Sequence, residues 1–115
     1  MTYEQFDVVR VPFPFTDRST SKRRPALVIS SDQGLGSVEQ TVVAMITSAF
    51  HSAWPLDHRI QDFQIAGLRH PSVVRLKIFT LDDRLILGKI GQLEAADRSA
   101  VTAALHLLFG IPLTT

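Results

Sequence analysis

The chain has 115 residues, 45% of them hydrophobic and 20% charged, which suits one globular domain over residues 1–115 and excludes a wholly disordered chain. Twelve Lys and Arg against eleven Asp and Glu give a net charge of +1, so a polyanion site must come from local clustering rather than overall balance. The absence of cysteine excludes a disulfide framework, thiol catalysis and cysteine-ligated zinc, and fits the cytoplasm; neither a signal peptide nor a bilayer-length apolar run is visible, so no membrane is expected.

Phe6–Phe15 is predicted as a strand, with Val9, Val11 and Phe13 alternating with Val8, Arg10 and Pro12. Pro12 and Pro14 cannot donate to a ladder, which predicts a sheet edge or a bend there. Thr16–Arg23 is a polar loop carrying Arg18, Lys22 and Arg23. Pro25–Ser30 is a short apolar strand, Ser31–Ser37 a loop with Gly34 and Gly36, and Thr41–Ile46 a buried strand rich in β-branched residues. Thr47–Leu56 is a loop ending in Trp54-Pro55, Asp57–Ile60 a weak strand, Gly67–Pro71 a turn region and Ser72–Leu76 a strand.

Leu81–Arg84 reads as one helical turn, and Leu85–Leu93 as a strand with Gly88 and Gly91 as candidate bulges. Helical periodicity belongs to the end of the chain, where Val101, Ala104, Leu105 and Leu108 fall on one face. Glu94 and Asp97 stand near its start, where negative charge suits the helix dipole, and Gly110 and Pro112 mark its stop. Short strands followed by one helix predict a mainly β fold: a small, curled barrel with the helix packed on it.

Asp7-Val8-Val9, then PFPFTD, SKRRPALVIS and TVVAMITS, then PSVVRLKIFTLDDRLI with KIGQL and a terminal helix, together resemble the MazF/PemK toxin family from Phe6 to Phe109. The resemblance implies an SH3-like barrel of the MazF/Kid/CcdB type and a homodimer. It also implies a sequence-specific, metal-independent endoribonuclease acting on single-stranded mRNA, the toxin of a type II toxin–antitoxin pair. The partner antitoxin is expected as a disordered acidic segment. The family's key arginine precedes the proline of the second strand, here Arg24 before Pro25; its key threonine ends the third strand, here Thr47.

Three departures stand out. Many members have glycine before the first-strand acid, where this chain has Phe6. Many carry a supporting Glu or His in the first loop, and Thr16–Arg23 has neither. One branch pairs an arginine in the fifth strand with Asp two residues later; here Arg75 is followed by Lys77. A non-catalytic, CcdB-like gyrase-binding toxin and an inactive relative are the alternatives, since fold alone does not decide activity.

RNA can be cleaved by its own 2′-hydroxyl, leaving a 2′,3′-cyclic phosphate and a 5′-hydroxyl. The protein must then accept one proton, donate another and offset charge on the phosphorane oxygens. Arg24 suits the last task, because its planar fork matches two oxygens and Pro25 restrains its backbone. The Thr47 hydroxyl is placed to bond the scissile phosphate, with Ser48 assisting. His51 is the first choice for proton transfer among His51, His58, His70 and His106.

Arg75 is expected either as a second phosphate contact or as a surface partner of Asp82 or Asp83. Arg18, Lys22, Arg23 and Lys77 form the RNA-binding set, with Trp54 either stacking on an unpaired base or packing against a partner chain. Phe50 is expected in core or interface packing. No histidine pair has the spacing of a helical metal site, so neither metal nor cofactor is expected. The whole reading requires Arg24 and Thr47 to converge at the barrel mouth.

Overall fold

A computed structural model describes residues 3–12 and 22–111 of the chain. Six strands form one sheet: β1 Asp7–Pro12, β2 Arg23–Val28, β3 Gln40–Ser48, β4 His58–Arg59, β5 Ser72–Asp82 and β6 Gly88–Gln92. Their order is β4-β5-β3-β2-β1-β6, and the paired strands are antiparallel throughout. A short helix α1, Asp32–Leu35, and a 3₁₀ turn, Gly36–Val38, link β2 to β3; the terminal helix α2 is Ala95–Phe109.

Both faces of the sheet are covered. On one, Val8, Leu27, Ala44, Ile46, Val74 and Leu76 pack with Leu93, Val101 and Leu105. On the other, Val9, Val11, Ala26, Val28 and Val43 pack with Leu81 and Ile86. Two-sided burial explains why the strands read as apolar runs instead of strict alternation.

The sheet curls until the segment after edge strand β4 meets the opposite edge. Gln92 N donates to Ile65 O at 3.4 Å. Gly67 and Gly91 permit this closure: a Cβ on Gly67 would lie 2.0 Å from Ile90 O, and one on Gly91 would lie 2.3 Å from the Ala66 carbonyl carbon. Two backbones touch there, and only glycine fits between them.

The helix is tied down by a buried carboxylate. Asp97 is fully buried. It accepts from Gln61 N at 2.8 Å, from Asp62 N at 3.2 Å and from His58 Nε2 at 2.7 Å. Burial opposes its ionisation, but the Gln61 N–H, the His58 ring and the Asp62 N–H outweigh it and hold the carboxyl below its ordinary range. Glu94, not Asp97, caps the helix, accepting from Ala96 N. Gly110 closes it at φ 66°.

Several expectations are corrected. As far as Pro12, β1 is an interior strand between β2 and β6, which corrects the edge alternative, while the expected bend and residues 13–15 lie outside the described residues. Pairing with β6 has ended by Arg10, so Pro12 interrupts nothing on that side. The Ser31–Ser37 loop contains a helical turn. β5 runs on to Asp82, and the turn follows at Asp83–Leu85.

Val101, Ala104 and Leu105 are buried as the periodicity predicts, but Leu108 is exposed together with Leu107 and Phe109 in the last turn of α2. Phe50 is 81% exposed and takes no part in the core. Phe6 has φ 71°, which explains why glycine suits that position; its ring packs on the core beside Arg98. Among the described residues, no helix is long and apolar enough to cross a membrane.

Asp97→Asn is expected to cost about 2–3 kcal/mol, read by denaturant unfolding. Because the folded carboxyl titrates lower than the unfolded one, its contribution is complete above about pH 4 and is lost as pH falls through the lowered value. The variant's melting temperature should therefore fall less on acidification than the parent's. Gly91→Ala should lower stability by about 2 kcal/mol, roughly 10 °C in Tm, by forcing the two backbones apart.

Candidate active-site groove

Pairing between β2 and β3 runs Val28↔Val43, Leu27↔Ala44, Ala26↔Met45 and then stops. The cause is local. Ile29 N donates to Val42 O, so odd-numbered residues of β2 turn their N–H toward β3. The next such residue is Pro25, which has no N–H to give. Continued by two residues, the same register would set Arg24 opposite Thr47. Arg24 remains held on its other side, paired with Val11 of β1.

A groove of about 380 Å³ occupies this opening. Arg24, Thr47, Ser48 and His51 line it together with Arg23. Thr47 Oγ1 lies 2.7 Å from His51 Nδ1, the donor being set by the imidazole tautomer. This bond orients the ring and leaves Nε2 for another partner. Ser48 Oγ accepts from Phe50 N at 3.2 Å and shapes the turn that brings His51 back to Thr47.

The far wall comes from residues the sequence reading did not assign to the site, apart from His70, one of the four histidines it named for proton transfer. Arg10 of β1 and Arg69 and His70 of the 61–71 segment line the same groove, with Gly67 and Ile90 between them. Three arginines besides Arg24, namely Arg10, Arg23 and Arg69, therefore rim one cavity. Nothing local in the sequence marks Arg10 or Arg69; the closure between Gly67 and Gly91 brings their wall into place.

The other expected residues lie elsewhere. Arg75 does not pair with Asp82 or Asp83. Its Nη2 lies 2.9 Å and its Nε 3.2 Å from the Asp57 carboxylate, and Nη2 also donates to Ser52 O at 2.6 Å. The Asp57 hydrogen bond raises the Arg75 pKa above its ordinary value, against a smaller cost of burial. Asp82 instead holds Arg84 at 3.1 Å.

Arg75 and Lys77 line a neighbouring cavity that shares Arg24 and Thr47 with the groove. Trp54 lies beside them, its ring centre 4.4 Å from Lys77 Nζ and 5.9 Å from the Arg75 guanidinium carbon. Lys22 is exposed just before β2 and does not line the groove. Arg18 lies outside the described residues. Among the described residues, no three His, Asp or Glu side chains are grouped as metal ligands would be.

A family model and solved structures place the chain among known proteins. No curated protein matches the sequence significantly. Solved structures match its fold along nearly its whole length. An endoribonuclease in complex with its cognate antitoxin, from a mycobacterial species, superposes with a TM-score of 0.75 at 16% identity, covering 98% of this chain and 100% of that one. A MazE–MazF structure from Deinococcus radiodurans gives 0.75 at 20% identity, covering 97% and 99%. The Mycobacterium tuberculosis toxin MazF-mt6 gives 0.72 at 20% identity, covering 92% and 98%. The family profile of PemK-like, MazF-like toxins matches residues 4–109, and the chain therefore belongs to this family of toxins of type II toxin–antitoxin systems.

Proposed function

We propose that this toxin is a sequence-specific endoribonuclease that cleaves single-stranded mRNA by 2′-hydroxyl attack. The observation that carries the reading is the groove at the end of the β2–β3 ladder, where Arg24 and the bonded pair Thr47–His51 line one cavity. The Arg24 guanidinium binds the scissile phosphate and offsets the charge gained in the phosphorane. His51, oriented by Thr47, takes the proton of the attacking 2′-hydroxyl. The P–O5′ bond breaks, and the leaving oxygen is protonated by a second acid on the opposite wall, for which His70 is the candidate. The products are a 2′,3′-cyclic phosphate and a 5′-hydroxyl. Ser48 supports the turn, and Arg10, Arg23 and Arg69 hold the flanking backbone.

The same cationic rim suits an acidic, disordered antitoxin segment that orders itself over the groove and blocks it. Self-association is supported by edge strand β4 and by exposed Leu107, Leu108 and Phe109 at the end of α2. The toxin acts in the cytoplasm, where such RNA lies.

Incubation with a long single-stranded RNA in the presence of a chelator, followed by end-group analysis, should give fragments with cyclic phosphate ends. Arg24→Ala should reduce the rate by about 10²–10³ with an unchanged melting curve. His51→Ala should lower it by about 10²-fold. Parental rates in Arg24→Ala would overturn the assignment; intact RNA together with inhibited gyrase would favour the CcdB-like alternative. Light scattering of the free toxin should report about twice the chain mass of 12.8 kDa.

A further inference from the structure

The groove does not end at Thr47. A second cavity of about 250 Å³ opens beside it, sharing Arg24, Ile46 and Thr47 and adding Met45, Arg75, Lys77 and Phe79 as its own walls. It has room for one nucleobase next to a phosphate held at Arg24. Met45 and the 37%-exposed Phe79 give it an apolar surface on which a base can lie.

Its polar character is one-sided. β3 and β5 pair Ala44 with Ile78 and Met45 with Arg75, so Leu76 and Lys77 form a bulge with no partner on β3. Bulges re-aim side chains. Here Leu76 is buried while Lys77 stands exposed, its ammonium resting on the Trp54 ring. That cation–π contact restrains a long side chain that solvent would otherwise leave mobile. Arg75 is fixed more firmly, by bonds from Nε and Nη2 to Asp57 and from Nη2 to Ser52 O, while it lines the cavity. Asp57 is the nearby carboxylate, and it is engaged by Arg75 and by Trp54 N. Among the described residues, the polar side chains lining the cavity are the cations Arg24, Arg75 and Lys77, with the Thr47 hydroxyl and the Met45 thioether as acceptors.

We propose that this cavity is a base-selecting subsite that takes a keto base, guanine or uracil, at the nucleotide beside the scissile phosphate, with Lys77 as its principal reader. Guanine offers O6 and N7, and uracil offers O4, as acceptors to these donors. Adenine and cytosine turn an exocyclic amino donor toward the cations. The proposal rests on the endoribonuclease reading only in placing the scissile phosphate at Arg24.

The test uses DNA oligonucleotides with a single ribonucleotide, so that one bond is cleavable, and all four bases in turn on either side of it. Single-turnover cleavage is measured, and binding is measured by fluorescence anisotropy on the same oligonucleotides with 2′-deoxyribose at the attacking position. One flanking position should favour keto over amino bases by about tenfold in both rate and affinity. Ranking guanine against uracil then identifies the base. Lys77→Glu, which replaces a donor by an acceptor, should turn the preference toward adenine and cytosine. On the substrate side, replacing guanine by 2-aminopurine, which lacks O6, or uracil by 2-pyrimidinone, which lacks O4, should cost the same tenfold with the unaltered protein. Equal binding of all four bases at both positions, or a preference unchanged in Lys77→Glu, would overturn the subsite. Base-dependent binding without cleavage would keep the subsite and end the nuclease reading; cleavage without base dependence would do the reverse.

Discussion

Pro25 lacks an N–H and stands on β2 where the next donor toward β3 would be, and the position of the groove follows from that single omission. Up to Ala26 the two strands are locked together through a core buried on both faces. One residue further on, the ladder has no bond to make, and the side chains of Arg24 and Thr47 come to line a cavity. Arg24 does not become a loose loop cation, because β1 still pairs with it through Val11. The backbone is rigid on one side and open on the other, which is what an arginine needs to meet a phosphate at small entropic cost.

The opposite wall depends on a second backbone constraint. The contact between Gly67 and Gly91 fastens the 61–71 segment to β6, and Arg69 and His70 reach the groove because of it. The same segment is anchored at its start by Asp97, whose carboxylate gathers the N–H groups of Gln61 and Asp62 along with His58. His58 is followed in space by a further tie next to it in sequence, where Asp57 clamps Arg75. Helix, edge strand and site wall are therefore linked through short polar bonds rather than through the apolar core alone. Such networks fix orientation more than they add stability.

What was legible in the sequence was local. The apolar runs PALVIS and TVVAMI announced β2 and β3, while Arg24 and Thr47 at their ends stood out only through the family resemblance. The helix was legible from its period and its glycine stop. Pairings across long separations were not. Asp57 and Arg75 are 18 residues apart and Asp97 and His58 are 39 apart, and nothing in either neighbourhood names its partner. Asp97 fits a helix-dipole role equally well on paper, and burial is what separates the two. β5 reads as ending early because the bulge at Leu76 and Lys77 breaks its alternation, so a period-two pattern loses step there.

The bulge and the near-zero net charge belong to one electrostatic arrangement. With twelve basic and eleven acidic side chains, a cationic groove can exist only if acids are engaged elsewhere. Asp7 is held by Lys89 at 3.1 Å, Asp57 by Arg75, Asp82 by Arg84, and Asp97, in the first turn of α2, is buried against His58. Among the described residues, the side chains lining the groove and its neighbouring cavity include no Asp or Glu. Among the described residues, Arg10, Arg23, Arg24 and Arg69 on one side and Arg75 and Lys77 on the other therefore give the two cavities a cationic lining. Lys77, two residues beyond Arg75, extends this positive field, and the carboxylate that steadies Arg75 comes from Asp57 on the neighbouring segment.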